Sequence, residues 1–489
     1  MNSSAPLPET AFLRPDGSNR EAIAAVAQQA LAQLLNHGSQ AAQRSPLPTW
    51  QGLEQDVGIP AQSVSLPDLL SQLEPLLAQA MNPANPGYLG HMDPAASTAS
   101  VIGDAIAALL NNNLLSVEMS PSLSRLETTL LRELAQRFGL GDKAGGLLLS
   151  GGSLANLQAI ALARNWALQV QETGLAGLAQ KPVLFASEAA HTSLQKAAML
   201  LGLGSQAVIP IPTDRRGRMQ VAALTEAIAS VRRQGQRPFC VVATAGTTVT
   251  GSIDPLPELG AIARAEGLWF HVDASYGGAV IFSPRYRQKL QGIEQADSVT
   301  FNPQKWLCVA KTSASLLLRD WSVLTEHFRI AAPYMGEADD LINLGEVSVQ
   351  GTRPADILKL WLTLQHFGDR GCEALVDHGM RLGRSFVAEL RQRPQIQVAT
   401  PPDLNILCFR LESDRLTAEL QKSLLDQHFF LSLPRFRDRL WLKAVLVNPF
   451  TTHEHVRQLF GVIDAFCRDR QIQPEPQSQD NEITYSQSL

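Results

Sequence analysis

The chain is poor in cysteine: five in 489 residues, Cys240, Cys308, Cys372, Cys408 and Cys467, with no C-x-x-C pair among them. An odd, scattered set reads as reduced and mostly buried thiols. It excludes a disulfide frame and a cysteine-built zinc site, and no bound metal is expected. Long apolar runs are missing as well, since none approaches the roughly 20 residues needed to cross a bilayer. The opening MNSSAPLPET has neither the basic nor the apolar region of a secretory leader, so a cytoplasmic protein is expected. Basic runs and arginine-rich arms are absent, and acid and base intersperse to a formal net charge of −5. Nucleic acid and membrane surfaces are therefore disfavoured as partners. Neither G-x-x-x-x-G-K-[ST] nor G-x-G-x-x-G occurs, which leaves nucleotide-binding loops of those kinds without support.

What the chain does hold is the composition of a soluble enzyme, 45% hydrophobic and 18% charged. Its length exceeds one compact core, so two or three lobes are expected. Residues 1–20 read as a loose arm. REAIAAVAQQALAQLL, with Ser18 and Asn19 as candidate caps, and LPDLLSQLEPLLAQAM read as amphipathic helices. A Pro/Gly loop, NPANPGYLGHMDP, precedes two further helices, ASTASVIGDAIAALLNNN and SRLETTLLRELAQRFGL. From about residue 145 short apolar runs alternate with helix-length segments: GLLLSGG, PVLFASE, QAVIPIP, FCVVATAG, LWFHVDAS, SVTFNP and SASLLLRD. Continuous apolar strands alternating with helices predict an α/β fold, a mainly parallel sheet covered on both faces. Ligands of such sheets lie beyond the carboxyl ends of the strands. After DILKLWLTLQHFGDRG a smaller α+β lobe is expected, with strands in ILCFRLES and LWLKAVLV, and then a polar, disordered tail.

Four features with chemistry fall at successive strand ends. Ser150-Gly151-Gly152-Ser153 joins a strand to a helix, where unpaired N–H groups and the positive dipole end can cradle a phosphate. Taken alone, any tight strand-to-helix turn would look the same. His191 follows PVLFASE and is either a packed or capping histidine or a flat ring stacked on a flat ligand. Asp273 ends WFHVD, where a cap would be ordinary, but Ala274, Ser275, Gly277 and Gly278 clear space beside it. A carboxylate in so apolar a run needs a cationic partner. Lys305 follows SVTFNP and is either a solvated loop amine or a nucleophile in a pocket. Each piece has a plain structural reading, but the four in order match one cofactor. Pyridoxal phosphate needs its phosphate cradled, its ring stacked, its ring nitrogen held protonated by a carboxylate and its aldehyde bound by a lysine.

The motifs SGGSLAN, AHTSLQKAAMLLG, ATAGTTVTGSIDP, HVDASYGG, DSVTFNPQKW, RPADILKLW and VNPFTT resemble the group II pyridoxal-phosphate-dependent amino-acid decarboxylases from about Gly87 to Phe466. The resemblance implies a fold-type I architecture and an obligate homodimer. The segments expected from it are an N-terminal helical dimerisation segment (1–93), a large cofactor domain (94–365), a small C-terminal domain (366–470) and a tail (471–489). It further implies that Lys305 carries the cofactor, Asp273 partners the ring nitrogen and His191 stacks on the ring. Gly152, Ser153 and the backbone of Leu154 match the phosphate loop, with Ser298 and Asn302 completing it. Thr248 and Ser275 match positions around the aspartate. Tyr334 stands where the family places the tyrosine that protonates the carbanion. His91, Met92 and Asn113 match pocket positions, and Lys443 stands where glutamate enzymes carry the arginine that grips the α-carboxylate.

Two departures bear on function. Gln304 replaces the usual histidine before the lysine, and glutamine can hydrogen-bond a phosphate but not transfer a proton. Lys443 keeps the charge of arginine without its bidentate fork. The implied reaction is decarboxylation of an L-amino acid to its amine. The polar groups His91, Asp93 and Lys443 point to glutamate, aspartate or 2,4-diaminobutyrate rather than an aromatic substrate. An aromatic amino acid is the runner-up substrate, and aminotransfer, aldehyde formation and a catalytically silent cofactor-binding dimer are the remaining alternatives.

Overall fold

The computed structural model describes residues 7–49, 52, 57–333 and 341–472. Its centre is a seven-stranded sheet: β1 (Gly145–Leu149), β2 (Pro182–Ser187), β3 (Val208–Ile211), β4 (Arg237–Thr244), β5 (Trp269–Asp273), β6 (Ser298–Phe301) and β7 (Ala314–Leu318), in spatial order β1-β7-β6-β5-β4-β2-β3. Pairings β6·β5, β5·β4, β4·β2 and β2·β3 are parallel, and only β7 runs against its two neighbours. The apolar runs are continuous because both faces are covered. Val183 and Phe185 of β2 enter one core, with leucines and isoleucines of α5 (Pro121–Arg137), α8 (Val221–Arg233) and α9 (Leu256–Glu266). Leu184 and Ala186 enter the other, against α6 (Gly152–Leu168), α7 (Ser193–Leu200) and α10 (Ser322–His327). This is the mainly parallel α/β arrangement expected of the sequence.

Ahead of the sheet come α1 (Arg20–Ser39), α2 (Leu66–Gln72), α3 (Glu74–Ala78) and α4 (Thr98–Leu110). The single helix expected over LPDLLSQLEPLLAQAM is two short ones. Pro75, in the first turn of α3, lacks the N–H that would have continued α2. Asn19 precedes α1 without capping it, because its side-chain amide donates instead to the carbonyls of Glu9 and Phe12.

Beyond β7 lies a 35-residue helical run, α11 (Ile357–Arg391). Its halves meet at Gly368, whose φ of 60° and ψ of −178° only glycine adopts readily. The smaller sheet then pairs β8 (Gln397–Val398), β9 (Ile406–Arg410) and β12 (Leu442–Val445), with a short hairpin β10 (Arg435–Phe436) and β11 (Arg439–Leu440). Helices α12 (Asp414–Asp426) and α13 (His453–Asp469) cover it through a core of their own that includes Phe386, Phe409, Leu420 and Phe460. Nearly all of the expected C-terminal tail, from residue 473 on, lies outside the described residues.

Candidate active site

Parallel strands end together, and the residues just past the ends of β1, β2, β4, β5 and β6 converge on one cavity of about 280 Å³. Its lining includes Gly152, Ser153, His191, Thr248, Asp273, Ser275, Asn302, Gln304 and Lys305. Nine of the positions expected from the sequence are thereby brought to one place.

Asp273 is buried, and burial alone would raise its pKa. Hydrogen bonding from Ser275, the charge of Lys305 and the Asn156 amide outweigh it and hold the carboxyl below its ordinary value. The Oδ1 atom accepts from Ser275 N at 3.1 Å, and Oδ2 accepts from Asn156 Nδ2 at 2.9 Å. Lys305 is shifted in the opposite sense, its ammonium disfavoured by burial while Asp273 and Asp93 oppose the shift. A lysine with a lowered pKa has more of the neutral amine that attacks a carbonyl. Burial also lowers the pKa of His191, so its ring is neutral and fit to lie against a flat cationic ligand. Its Nδ1 accepts from Ser193 N at 3.2 Å, which fixes the ring plane.

The cavity carries its own test for the cofactor. Asn302 Oδ1 and Thr244 Oγ1 are buried against it with no hydrogen-bond partner among the described residues, groups that call for a polar ligand. At Gly152, a Cβ would come within 2.6 Å of Asn302 Nδ2 and 3.1 Å of Ser275 Oγ. Only a glycine leaves that space at the start of α6, where the first N–H groups of a helix can receive an anion. Gln304 also lines the cavity. Its Oε1 accepts from Ser313 N at 2.6 Å, which leaves its Nε2 as a donor. These residues fit pyridoxal phosphate.

Several expected residues sit elsewhere. Ser298 opens β6, at the strand end away from the cavity, and its hydroxyl is taken by Trp269 and His271, so it does not complete a phosphate site. The Leu154 N–H donates to Gly151 O at 3.1 Å within the turn. Met92 is buried in the core against the sheet. Asn113 spends Oδ1 on the backbone N–H groups of Leu115 and Arg353, at 3.0 and 3.1 Å, and does not line the cavity. His91 lies against Phe430, ring centroids 5.5 Å apart, outside the lining but within the field of Lys443 and Asp93. Lys443 comes from β12 and donates to Thr248 O at 3.3 Å, just behind the cavity wall. Tyr334 lies outside the described residues.

Sequence reading passed over Asn156, Thr244 and Gly246, all in the lining. Asn156 was findable: it sits three residues after Ser153, hence on the same face of α6.

A parallel sheet whose strand ends gather a glycine turn, a neutral imidazole, an ionised aspartate and a buried lysine defines a pyridoxal-phosphate enzyme of the α/β type. A family model described as the pyridoxal-dependent decarboxylase conserved domain matches residues 48–412, and the chain belongs to that family. Among its relatives, the L-aspartate decarboxylase dtxS4 of Metarhizium robertsii is 32% identical over 378 residues, 74% of this chain and 75% of that one. The L-2,4-diaminobutyrate decarboxylase of Acinetobacter baumannii is 30% identical over 421 residues, 81% and 82% of the two chains. The crystal structure of mouse CSAD superposes with a TM-score of 0.86 at 27% identity, covering 91% of this chain and 98% of that one. The protein is a pyridoxal-phosphate-dependent amino-acid decarboxylase.

Proposed function

We propose that the enzyme decarboxylates an acidic L-amino acid, aspartate or glutamate. The observation that carries this reading is an uncompensated cation. Among the described residues Lys443 has no carboxylate in ion-pair contact, only the Thr248 carbonyl as an acceptor. The nearby Asp93 is already engaged by Lys311 at 2.6 Å. A substrate entering beside Lys305 thus meets a field with positive charge to spare, which suits two carboxylates better than a second ammonium or an aromatic ring.

Lys305 is assigned the covalent hold on the cofactor, Asp273 the protonated state of its ring nitrogen, and His191 the ring face. The turn Gly151–Ser153, Asn302 and Gln304 are assigned the phosphate. When bound, the cofactor supplies a cationic ring able to accept the electron pair of the breaking Cα–carboxylate bond. The charge of Lys443 is assigned to the side-chain carboxylate of the substrate, and Tyr334, on its place in the sequence alone, returns a proton to Cα.

A panel of aspartate, glutamate, 2,4-diaminobutyrate and tyrosine, followed by release of labelled CO2, tests the substrate. An acidic amino acid should lead. Lys443→Met should lower kcat/KM about tenfold or more, the loss of one charged hydrogen bond, and Lys443→Arg should retain most of it. Preference for tyrosine, or indifference to Lys443→Met, defeats the assignment. Asp93 favours a second reading, diaminobutyrate, in which the Asp93–Lys311 pair opens to admit the substrate ammonium.

The working unit in this proposal is a cytoplasmic homodimer divided near residues 93 and 365. Two findings support the dimer. Helix α1 buries none of its residues, and α4 exposes Val101, Ile102, Ile106, Leu109 and Leu110. Such stripes belong against another surface. All five cysteines are free and buried, which suits a reducing compartment.

A further inference from the structure

Ser298, unavailable to the cofactor, belongs to a buried hydrogen-bond chain that ends on Asp273. Trp269 Nε1 donates to Ser298 Oγ at 2.8 Å. Ser298 Oγ lies 2.8 Å from His271 Nδ1, and His271 Nε2 lies 3.2 Å from Asn156 Oδ1. Asn156 Nδ2 donates to Asp273 Oδ2 at 2.9 Å, and to Ser193 Oγ at 2.9 Å. Every member is buried. The strand pattern accounts for the assembly, since His271 and Asp273 share one face of β5 and Ser298 is the parallel partner of His271 on β6.

The two ends of this chain differ in kind. An indole N–H can only donate, and an ionised carboxylate can only accept. Working inward from Trp269, Ser298 accepts. Its own proton then has one acceptor among its described contacts, His271 Nδ1. Working inward from Asp273, the Asn156 amide must turn its NH2 to the carboxylate and its oxygen to His271, which requires a proton on Nε2. Both ends dictate the same tautomer. Burial, with the Asp273 charge and the Ser298 backbone opposing, pushes the imidazole pKa down to about 4, so the ring stays neutral in the physiological range. Thr300 Oγ1, 3.4 Å from Nε2, is the only other described side-chain partner of that nitrogen.

We propose that His271 is a positioning residue: locked as the Nε2–H tautomer by Trp269 and Ser298, it fixes the Asn156 amide so that Asp273 remains an oriented anion for the ring nitrogen of the cofactor. The proposal rests on the role assigned to Asp273. A histidine that merely filled the core would need two partners but no particular direction. Here the direction is set more than one residue away from the carboxylate it serves. Reversing it would turn the Asn156 oxygen onto Asp273, two acceptors face to face in a buried site.

The test reads the tautomer itself. Full-length protein labelled with nitrogen-15 histidine is examined by NMR without cofactor and then with it, the His271 signals being identified by their shift in Ser298→Ala. The expected pattern is a protonated Nε2 and a bare Nδ1, unchanged from about pH 5.5 to 8. A proton on Nδ1, or exchange between tautomers, overturns the proposal. Two variants add the link to turnover. Gln places an N–H donor where Nε2 stands, and Asn places its polar group only where Nδ1 stands. His271→Gln should keep kcat within about threefold, and His271→Asn should lower it about tenfold or more with KM little changed. Equal losses in the two variants, or a loss confined to KM, also overturn it. The NMR measurement needs neither substrate nor a particular reaction, so it succeeds or fails separately from the choice of amino acid.

Discussion

At the scale of single residues, the site opposes burial with specific partners, and each opposition has a measurable consequence. Asp273 remains ionised because hydrogen bonds and Lys305 outweigh its desolvation. Asp273→Asn keeps the shape and removes the charge, so kcat should fall by a factor of 100 or more, roughly the effect of about two pKa units on the ring nitrogen. Cofactor should still bind through the phosphate turn and Lys305, and the two results are separated by absorbance titration and a turnover assay. His271 makes a prediction about stability. Its folded pKa, about 4, lies below the unfolded value of 6.5. Between those values the unfolded chain binds a proton that the folded chain refuses, so stability contributed at neutral pH is lost as pH falls from about 6.5 to about 4. Asp254, buried and raised to about 6, acts in the opposite direction, but it is common to both proteins when wild type is compared with His271→Gln. Urea unfolding across this window should show wild type losing on the order of 2–3 kcal/mol relative to the variant. Parallel curves would mean that the imidazole is not held neutral.

At the scale of elements, glycines decide where backbones meet. Gly152→Ala places a methyl group on Asn302 and Ser275. It should weaken cofactor binding about tenfold or more while far-UV circular dichroism stays that of wild type. Gly368→Ala, remote from the cavity lining, should cost about 1–3 kcal/mol of stability with kcat intact; a large loss of kcat would join α11 to the chemistry. The strands were legible in the sequence because burial on both faces leaves no polar alternation to misread, and β1 to β7 each overlap an expected run, with β1 and β4 starting one and two residues ahead of theirs. Strand ends were legible for the same reason, as places where polar residues resume. Sheet order and the reversed direction of β7 were not, because pairing partners are set by tertiary packing. Ser298 shows the limit of motif reading. Three residues of β6 separate it from Asn302, and only the strand direction reveals that one lies at the cavity and the other at the far end. Met92 and Asn113 sit in loops, where neighbours in sequence carry no period from which to infer a facing side.

At the scale of the whole molecule, the lobes meet at the site. Lys443 from the smaller sheet reaches the carbonyl of Thr248 beside the large one. The exposed apolar stripe of α4 predicts association, and light scattering should give twice the 53.1 kDa chain mass. Ile102→Glu with Ile106→Glu should shift the protein toward monomer and reduce specific activity in parallel. We propose that convergent strand ends make Lys305, and no neighbouring lysine, the residue that holds the cofactor. That assignment is tested most directly by reducing the loaded protein with borohydride and mapping the modified peptide by mass spectrometry. One cofactor per chain, on Lys305, is the expected result. Modification of Lys311 or Lys443 in its place, or an unmodified Lys305 in protein that has bound the cofactor, would contradict it.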